Sequence, residues 1–268
     1  MNQDPTLSVS SMADPDAVEG GALTATGFRA EDAFLGVHSS VTGNRWVSRK
    51  ASDEVATEIA SRTGLPAPVA RVLASRSVDP ERVQHFLEPR LRDVLPDPSH
   101  LLDMDTAIER TMAAILTEES VALFADFDVD GATSSALVRR FFRALGQEVR
   151  CYIPDRHKEG YGPKVESMRQ LALDGANLII TLDCGVMAND AVEAANAAGA
   201  EVIVLDHHMA PEVLPPAVAV VNPNRLDDPS EHGSIAACGL TFLFLVAVNR
   251  ALREMNFYED RGITPPDL

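Results

Sequence analysis

Apolar positions change their spacing near residue 119 of this 268-residue chain. Upstream of that point they recur every three or four residues, which is typical of amphipathic helices. Residues 1–44 lack this periodicity and are rich in Gly, Ser, Thr and Asp, so we predict a disordered tail there. Helices are predicted within the following region, 45–118, at residues 52–64, 69–74, 79–86 and 105–118.

Downstream of residue 119, short apolar runs alternate with amphipathic stretches. The runs predict buried strands at 121–125, 149–153, 178–182, 202–205 and 217–221. The stretches predict helices at 133–145, 164–174 and 189–198, and a very apolar helix from Ser234 onward. This rhythm predicts an α/β domain, residues 119–255, with a five-stranded parallel sheet and helices on both faces. The helical region 45–118 precedes this domain, and residues 256–268 after it are predicted to be a truncated linker.

Acidic and imidazole side chains follow three of the predicted strands. Because parallel strands end at one edge of a sheet, we expect these side chains to meet there. Asp128 and Asp130 are two positions apart, so an extended strand end would point both to the same side. Carboxylates and imidazoles together suit two divalent ions, manganese among them, and such sites usually hydrolyse phosphate esters. The side chains are Asp126, Asp128, Asp130, Asp183, Asp206, His207 and His208.

Three other interpretations of the acidic residues stay open at this point. Asp-x-Asp-x-Asp-Gly also begins the calcium-binding loop of an EF-hand. The twelfth position of that loop should be a glutamate, but here it is Leu137, and the residues before the loop are predicted to form a strand and not a helix. A phosphorylation pocket of the receiver type would need a later aspartate and a lysine, and would leave the histidine pair unexplained. Solvated loop charges would explain any one of the motifs, but not three of them on strand ends.

Composition narrows the class of protein. The net charge of −17 argues against a nonspecific nucleic-acid binder, although basic residues outnumber acidic ones between residues 45 and 92. The three cysteines are far apart, which favours a reducing cytoplasm over a disulfide framework. Cys184 is interpreted as a small buried residue and not as a nucleophile. The sequence contains no run of eighteen apolar residues, so we expect no membrane span.

The motifs together resemble those of the DHH phosphoesterases, and most of all the RecJ-type exonucleases specific for single-stranded DNA. The resemblance rests on Asp128-Val-Asp130-Gly131, Asp183-Cys-Gly185 and Asp206-His207-His208. Two further stretches are similar to RecJ: Phe86-Leu-Glu-Pro89 with the residues up to Ala107, and Tyr152-Ile-Pro154 with the loop up to Gly162. The similarity spans roughly residues 65 to 255.

The resemblance implies a role for each matching residue. Asp128 would bind one manganese ion, Asp130 and His207 the other, and Asp183 would bridge the two, with magnesium as the alternative metal. His208 would contact the scissile phosphate, so His208 and Asp183 are the expected catalytic residues. Asp126 and Asp206 would orient ligands from a second shell. Arg156 and Gly239 would bind substrate, Gly239 by letting backbone amides approach a 5′ phosphate.

RecJ-type proteins are 5′-to-3′ exonucleases of DNA repair and recombination, so the resemblance implies hydrolysis of single-stranded DNA to mononucleotides. A single-strand-binding protein is the implied partner. The chain departs from the family pattern at Phe124, where some members carry a histidine ligand, and it ends before a later aspartate motif and further domains. We therefore expect an N-terminal portion whose own activity is open. The alternatives are a DHH phosphodiesterase acting on short oligonucleotides, pAp or cyclic dinucleotides, and a non-catalytic metal- or DNA-binding fragment.

Overall fold

A computed structural model of the protein describes Ala33 and residues 36–47 and 51–268. The predicted disordered tail, 1–44, falls mostly outside these residues, so its disorder stays a prediction. The chain divides into two compact units, Met1–Asp93 and Val94–Leu268.

From Asp53 onward the first unit is helical, as its periodicity predicts, whereas an antiparallel bridge joins Ala33 and Val47 before it. Ser52 caps the first helix by accepting a hydrogen bond from the Val55 amide, and Gly64 ends it in the left-handed conformation. The buried faces of the helices form a small core around Ile59, Leu73 and Val83. The helices are α1 (Asp53–Thr63), α2 (Ala67–Ser75) and α3 (Val83–Leu87), with a 3₁₀ turn at Pro80–Arg82 before α3; α4 (Leu91–Val94) follows at the boundary between the units.

The second unit is built on a five-stranded sheet in which every pairing is parallel, which confirms the predicted fold class. Its strand order is β2-β1-β3-β4-β5, so β1, β3 and β4 are central. In the register, Leu123 lies opposite Ile180, and Ile180 lies opposite Ile203. The strands are β1 (Val121–Ala125), β2 (Arg150–Tyr152), β3 (Leu178–Leu182), β4 (Glu201–Leu205) and β5 (Ala219–Val221).

Helices cover both faces of this sheet because successive strand residues point to opposite sides. Leu123 and Ile180 belong to one buried cluster together with α5, α6, α10 and α11. Ala122 and Ile179 belong to the other, with α8 and α9. The helices of this unit are α5 (Met104–Thr117), α6 (Val129–Ala144), α7 (Arg156–Glu159), α8 (Val165–Leu173), α9 (Asn189–Ala197), α10 (Ala237–Glu254) and α11 (Phe257–Arg261).

Several predicted boundaries differ from those of the structure. Helix α6 begins at Val129, four residues before the predicted start, because the Asp128 side chain caps it. Helix α10 begins at Ala237 and not at Ser234. Strands β2 and β5 each have three residues, shorter than the apolar runs that predicted them.

Two segments outside the predicted α/β domain pack into its core. Helix α5, assigned from sequence to the helical region 45–118, buries Met104 and Ile115 in the cluster on the α6 side. Phe257 and Tyr258 of α11, assigned to a linker, are buried in the same cluster. In the described part of the chain, no helix combines the length and the apolar character that crossing a bilayer requires.

Candidate metal centre

The acidic and imidazole residues lie together at the carboxyl edge of the three central strands, β1, β3 and β4. Their potential ligand atoms form two sets, and within each set the atoms lie within 4.8 Å of one another. One set comprises Asp126, Asp128 and Asp183, and the other comprises Asp183, His207 and His208. Asp183 is the member that the two sets share.

Asp128 and Asp130 lie at the N-terminus of α6 and not on an extended strand end. The prediction that strand geometry points both side chains to the same side is therefore wrong. Asp128 is the N-cap, and its Oδ1 accepts hydrogen bonds from the amides of Asp130 at 2.8 Å and Gly131 at 3.2 Å. Burial opposes ionisation of Asp128, but these amide donors and a hydrogen bond with Asp183 outweigh it and lower the pKa of Asp128.

The Asp130 carboxylate points from the first turn of α6 to the N-terminus of α10. Its Oδ2 accepts the Ala237 amide at 2.8 Å and its Oδ1 accepts the Cys238 amide at 2.7 Å. Since the methyl group of Ala236 cannot cap α10, Asp130 supplies the cap from another helix. Asp130 Oδ2 also lies 3.7 Å from His207 Nε2, which brings it to the edge of the second set.

Asp183 is buried and strained, as residues at functional sites often are. Its φ of 62° lies in the left-handed region, and its side chain is only 2% exposed. Oδ1 lies 3.2 Å from His207 Nε2 but accepts no hydrogen bond from the described residues. Burial, followed by the negative charges of Asp130 and Asp128, raises the pKa of Asp183 to about 8.

Asp126 is a second buried carboxylate with an unsatisfied oxygen. Its Oδ1 has no hydrogen-bond partner in the described part of the chain, and burial raises the pKa of Asp126. A buried carboxylate oxygen without a donor is costly unless a cation neutralises it. Asp126 and Asp183 both present such an oxygen within the first set, so the residues present fit a divalent cation. Asp126, assigned to a second shell from sequence, thus lies among the potential ligands themselves.

His207 is oriented by a backbone carbonyl. Its Nδ1 lies 2.9 Å from the Ile235 carbonyl oxygen, which can only accept a hydrogen bond, so Nδ1 carries the proton. In its neutral form the ring then presents the Nε2 lone pair to Asp183 and Asp130. A histidine whose second nitrogen is fixed in this way is typical of metal sites.

Asp206 and His208 form a hydrogen-bonded pair. Asp206 Oδ1 lies 2.7 Å from His208 Nδ1 and accepts the His207 amide, while its Oδ2 accepts the Val186 amide. The hydrogen bond to Asp206 raises the pKa of His208. Burial would raise the pKa of Asp206, but the hydrogen bonds from His208 and from the Val186 amide outweigh burial and lower it. The pair therefore favours a cationic His208.

Tyr161 is a site residue that the sequence reasoning missed, although it lies in the loop that carried part of the resemblance. Its hydroxyl lies 3.2 Å from His208 Nε2, and its ring contacts Phe127 edge to face. The Arg156 guanidinium, predicted to bind substrate, lies 4.9 Å from the centre of the Phe127 ring. Because aromatic side chains in loops show no periodicity, only the position of the loop after β2 could have indicated Tyr161.

Three other residues singled out from sequence lie apart from the two ligand sets. Phe124 is fully buried on the α8 side of the sheet, with its ring against Tyr152. Cys184 is buried as predicted, and burial raises the pKa of its thiol well above the ordinary range. Gly239 lies in the first turn of α10, where Asp130 already engages the amides of Ala237 and Cys238.

Gly131 is required for close packing beneath the acidic residues. A Cβ atom there would lie 2.4 Å from the Asp126 carbonyl oxygen and 2.8 Å from its carbonyl carbon, and backbone cannot rotate away. We expect Gly131→Ala to lower the free energy of unfolding by about 1–3 kcal/mol, as overpacking does, and to weaken metal binding by displacing Asp126. Thermal unfolding and Mn²⁺ titration measure both effects.

Ala132→Gly, at the exposed neighbouring position, controls for helix propensity and should cost at most about 1 kcal/mol. Alanine is the better helix former, so Gly131→Ala would stabilise the protein if the contact were absent. A variant at Gly131 as stable as the parent would contradict the predicted clash.

Comparison with known proteins supports a single family. Residues 120–263 match the DHH family, N-terminal domain. The chain is 37% identical over 205 residues to the single-stranded-DNA-specific exonuclease RecJ of Dickeya dadantii, an alignment that covers 76% of this chain and 35% of the relative. RecJ of Escherichia coli is 35% identical, with the same coverage. The chain thus spans about a third of the length of the curated relatives that it matches.

Solved structures agree with these matches. A crystal structure of exonuclease RecJ bound to manganese superposes with a TM-score of 0.51 at 31% identity, covering 62% of this chain and 40% of that one. RecJ from Thermus thermophilus in complex with Mn²⁺ gives a TM-score of 0.58 at 25% identity, covering 80% of this chain and 28% of that one. The family match covers more than half of the chain, and the sheet and its acidic edge agree with it: the chain belongs to the DHH family.

Proposed function

We propose that this chain carries the phosphodiesterase site of a 5′-to-3′ exonuclease acting on single-stranded DNA, dependent on two divalent ions. The observation that supports this most is Asp183, a buried carboxylate shared by two sets of potential ligand atoms. The curated relatives are exonucleases specific for single-stranded DNA, and two similar RecJ structures contain manganese. We extend the proposal to a cytoplasmic role in DNA repair and recombination, with a single-strand-binding protein as partner.

In the proposed site, Asp126 and Asp128 would hold one ion, His207 and Asp130 would hold the other, and Asp183 would contribute to both. Manganese suits this mixture of oxygen and nitrogen ligands, with magnesium as the alternative. When bound, the ions would polarise the phosphoryl group and activate water for attack on phosphorus. The Ile235 carbonyl keeps the His207 lone pair directed at the carboxylates, and the amides at the start of α6 keep Asp128 ionised.

Substrate contacts would come from the side of the site that carries His208. Its imidazolium, held by Asp206, would donate Nε2–H to a phosphate oxygen or to the leaving oxygen. Tyr161 and Phe127 present aromatic surface beside it, which suits stacking of an unpaired base, and Arg156 adds positive charge for the backbone. We also propose that Gly239 lets substrate approach the backbone at the start of α10, next to the amides of Ala237 and Cys238 that Asp130 engages.

A nuclease assay tests the proposal directly. The full chain is incubated with Mn²⁺ and either 5′-phosphorylated single-stranded DNA, the corresponding duplex, or a dinucleotide. Release of mononucleotides from the 5′ end of the single strand alone supports the exonuclease. Cleavage of the dinucleotide alone would favour a phosphodiesterase of short substrates, and Mn²⁺ binding without any cleavage would indicate a non-catalytic metal-binding fragment.

Metal affinity should depend steeply on pH below about 8. In the metal-free protein Asp183 holds a proton at neutral pH, because its pKa is raised to about 8, and Mn²⁺ must displace that proton. Affinity should therefore rise about tenfold per pH unit up to pH 8 and then level off. Calorimetry at pH 6, 7, 8 and 9, in two buffers of different ionisation enthalpy, measures both the affinity and the released proton. An affinity that does not change with pH would contradict the raised pKa.

A further inference from the structure

The Asn224 side chain connects two backbone segments that meet at His207. Its Nδ2 donates one hydrogen bond to the His207 carbonyl at 2.5 Å and another to the Gly233 carbonyl at 2.9 Å. Asn224 itself is fixed, because its backbone N–H donates a hydrogen bond to Oδ1 of the fully buried Asn222 at 2.7 Å. One amide group therefore sets the distance between the histidine backbone and the segment 233–238.

That segment carries the acceptor that orients the His207 ring. The Ile235 carbonyl, which accepts the Nδ1 proton, lies two residues after the carbonyl that Asn224 holds. At its other end the segment is held by Asp130, which accepts the amides of Ala237 and Cys238. The segment is thus tied at both ends, to the backbone of His207 at one end and to α6 at the other.

We infer that Asn224 is a positioning residue that fixes the tautomer and direction of the His207 imidazole through the Ile235 carbonyl. Both hydrogen bonds that the Asn224 side-chain amide donates go to backbone carbonyl groups, so Asn224 acts through the backbone. This inference rests on the proposed function, because it takes His207 as a metal ligand. The tautomer of His207 can nevertheless be measured in the protein without metal. Without Asn224, the ring is free to adopt the other neutral tautomer, whose Nε2 carries a proton and cannot bind an ion.

Gly233 offers an independent way to disturb this arrangement. A Cβ atom at Gly233 would lie 2.4 Å from Asn224 Oδ1, and the three atoms nearest to it all belong to the Asn224 side chain, so alanine there displaces that side chain. Because Gly233 is exposed, we expect the fold to survive the substitution. Ser234→Ala, at the exposed neighbouring position, is the matched control in the same loop.

The experiment reads the tautomer of His207 in the metal-free full chain. Long-range ¹H–¹⁵N correlation spectra at pH 8.5 distinguish Nδ1–H from Nε2–H imidazoles, and the His207→Gln spectrum identifies the signal among the seven histidines. We expect Nδ1–H in the parent and in Ser234→Ala, and a shift toward Nε2–H in Asn224→Ala and Gly233→Ala. The last two variants should also bind Mn²⁺ about 10–100-fold more weakly, the usual loss when an outer partner of a ligand is removed.

The results separate this inference from the proposed function. If Asn224→Ala and Gly233→Ala, folded by circular dichroism, keep His207 as Nδ1–H, the positioning role is overturned. If the tautomer shifts but even the parent binds no Mn²⁺, Asn224 positions His207 and the proposed metal site fails. An Asn224→Ala chain that unfolds leaves the decision to Gly233→Ala, which disturbs the same contact from the loop.

Discussion

Asp183→Asn is expected to abolish both Mn²⁺ binding and nuclease activity while leaving the protein folded. Asp183 is the only residue shared by the two sets of potential ligand atoms among the described residues, so its loss weakens both positions at once. Removal of an outer partner alone costs about 10–100-fold in metal affinity, and removal of a shared ligand should cost more than 100-fold. Calorimetry with Mn²⁺ and the single-strand assay measure the two losses.

The fold should survive this substitution for two physical reasons. Asparagine tolerates the left-handed conformation, and Asp183 has a φ of 62°. Because the pKa of Asp183 is raised to about 8, the metal-free site already holds a neutral side chain at pH 7, which the amide imitates. The thermal midpoint of the metal-free variant should therefore equal or exceed that of the parent.

Asp190→Asn removes one acidic charge at an exposed position in the first turn of α9 and serves as the matched control. It should leave metal binding and activity unchanged, which separates loss of a ligand from loss of charge. Two Mn²⁺ ions still bound to Asp183→Asn would rule out a bridging role for this residue, and with it the proposed site.

The sheet and the position of the site could be predicted because both follow from short-range patterns. Strands 121–125 and 178–182 are buried on both faces, so each is a nearly continuous apolar run in the sequence. Such a run can be recognised although it lacks the alternation of apolar and polar residues seen in half-buried strands. Asp183 and Asp206 directly follow such runs, and strands that are parallel must end at a common edge. The number and direction of the strands therefore sufficed to bring the acidic residues together.

The details of the site depend on contacts between residues distant in sequence, which local patterns do not record. Asp130 caps a helix that begins more than a hundred positions later, and this contact determines where its carboxylate points. The start of α6 was placed too late because a carboxylate in a ligand motif can also be a helix cap, as Asp128 is. The Ile235 carbonyl could not be identified from sequence, because any residue has one.

His208→Gln should reduce the rate of hydrolysis by about 10²–10⁴, the usual contribution of a group that transfers or donates a proton, while Mn²⁺ affinity changes by less than about tenfold. His208 donates from Nδ1 to Asp206, which leaves Nε2 toward Tyr161 and the open side of the site. Asp206 keeps the amides of Val186 and His207 as donors in the variant, so the buried carboxylate stays satisfied.

The measurement compares single-turnover cleavage at saturating Mn²⁺ with calorimetric Mn²⁺ affinity, and His157→Gln, exposed in α7, is the matched control. The comparison decides between two roles, because His208 also lies within one of the two sets of potential ligand atoms. A slow variant with intact affinity assigns His208 to the substrate phosphate. A variant that loses one Mn²⁺ ion makes His208 a ligand, and the proton donor would then have to be sought elsewhere, first at the Tyr161 hydroxyl, 3.2 Å from His208 Nε2.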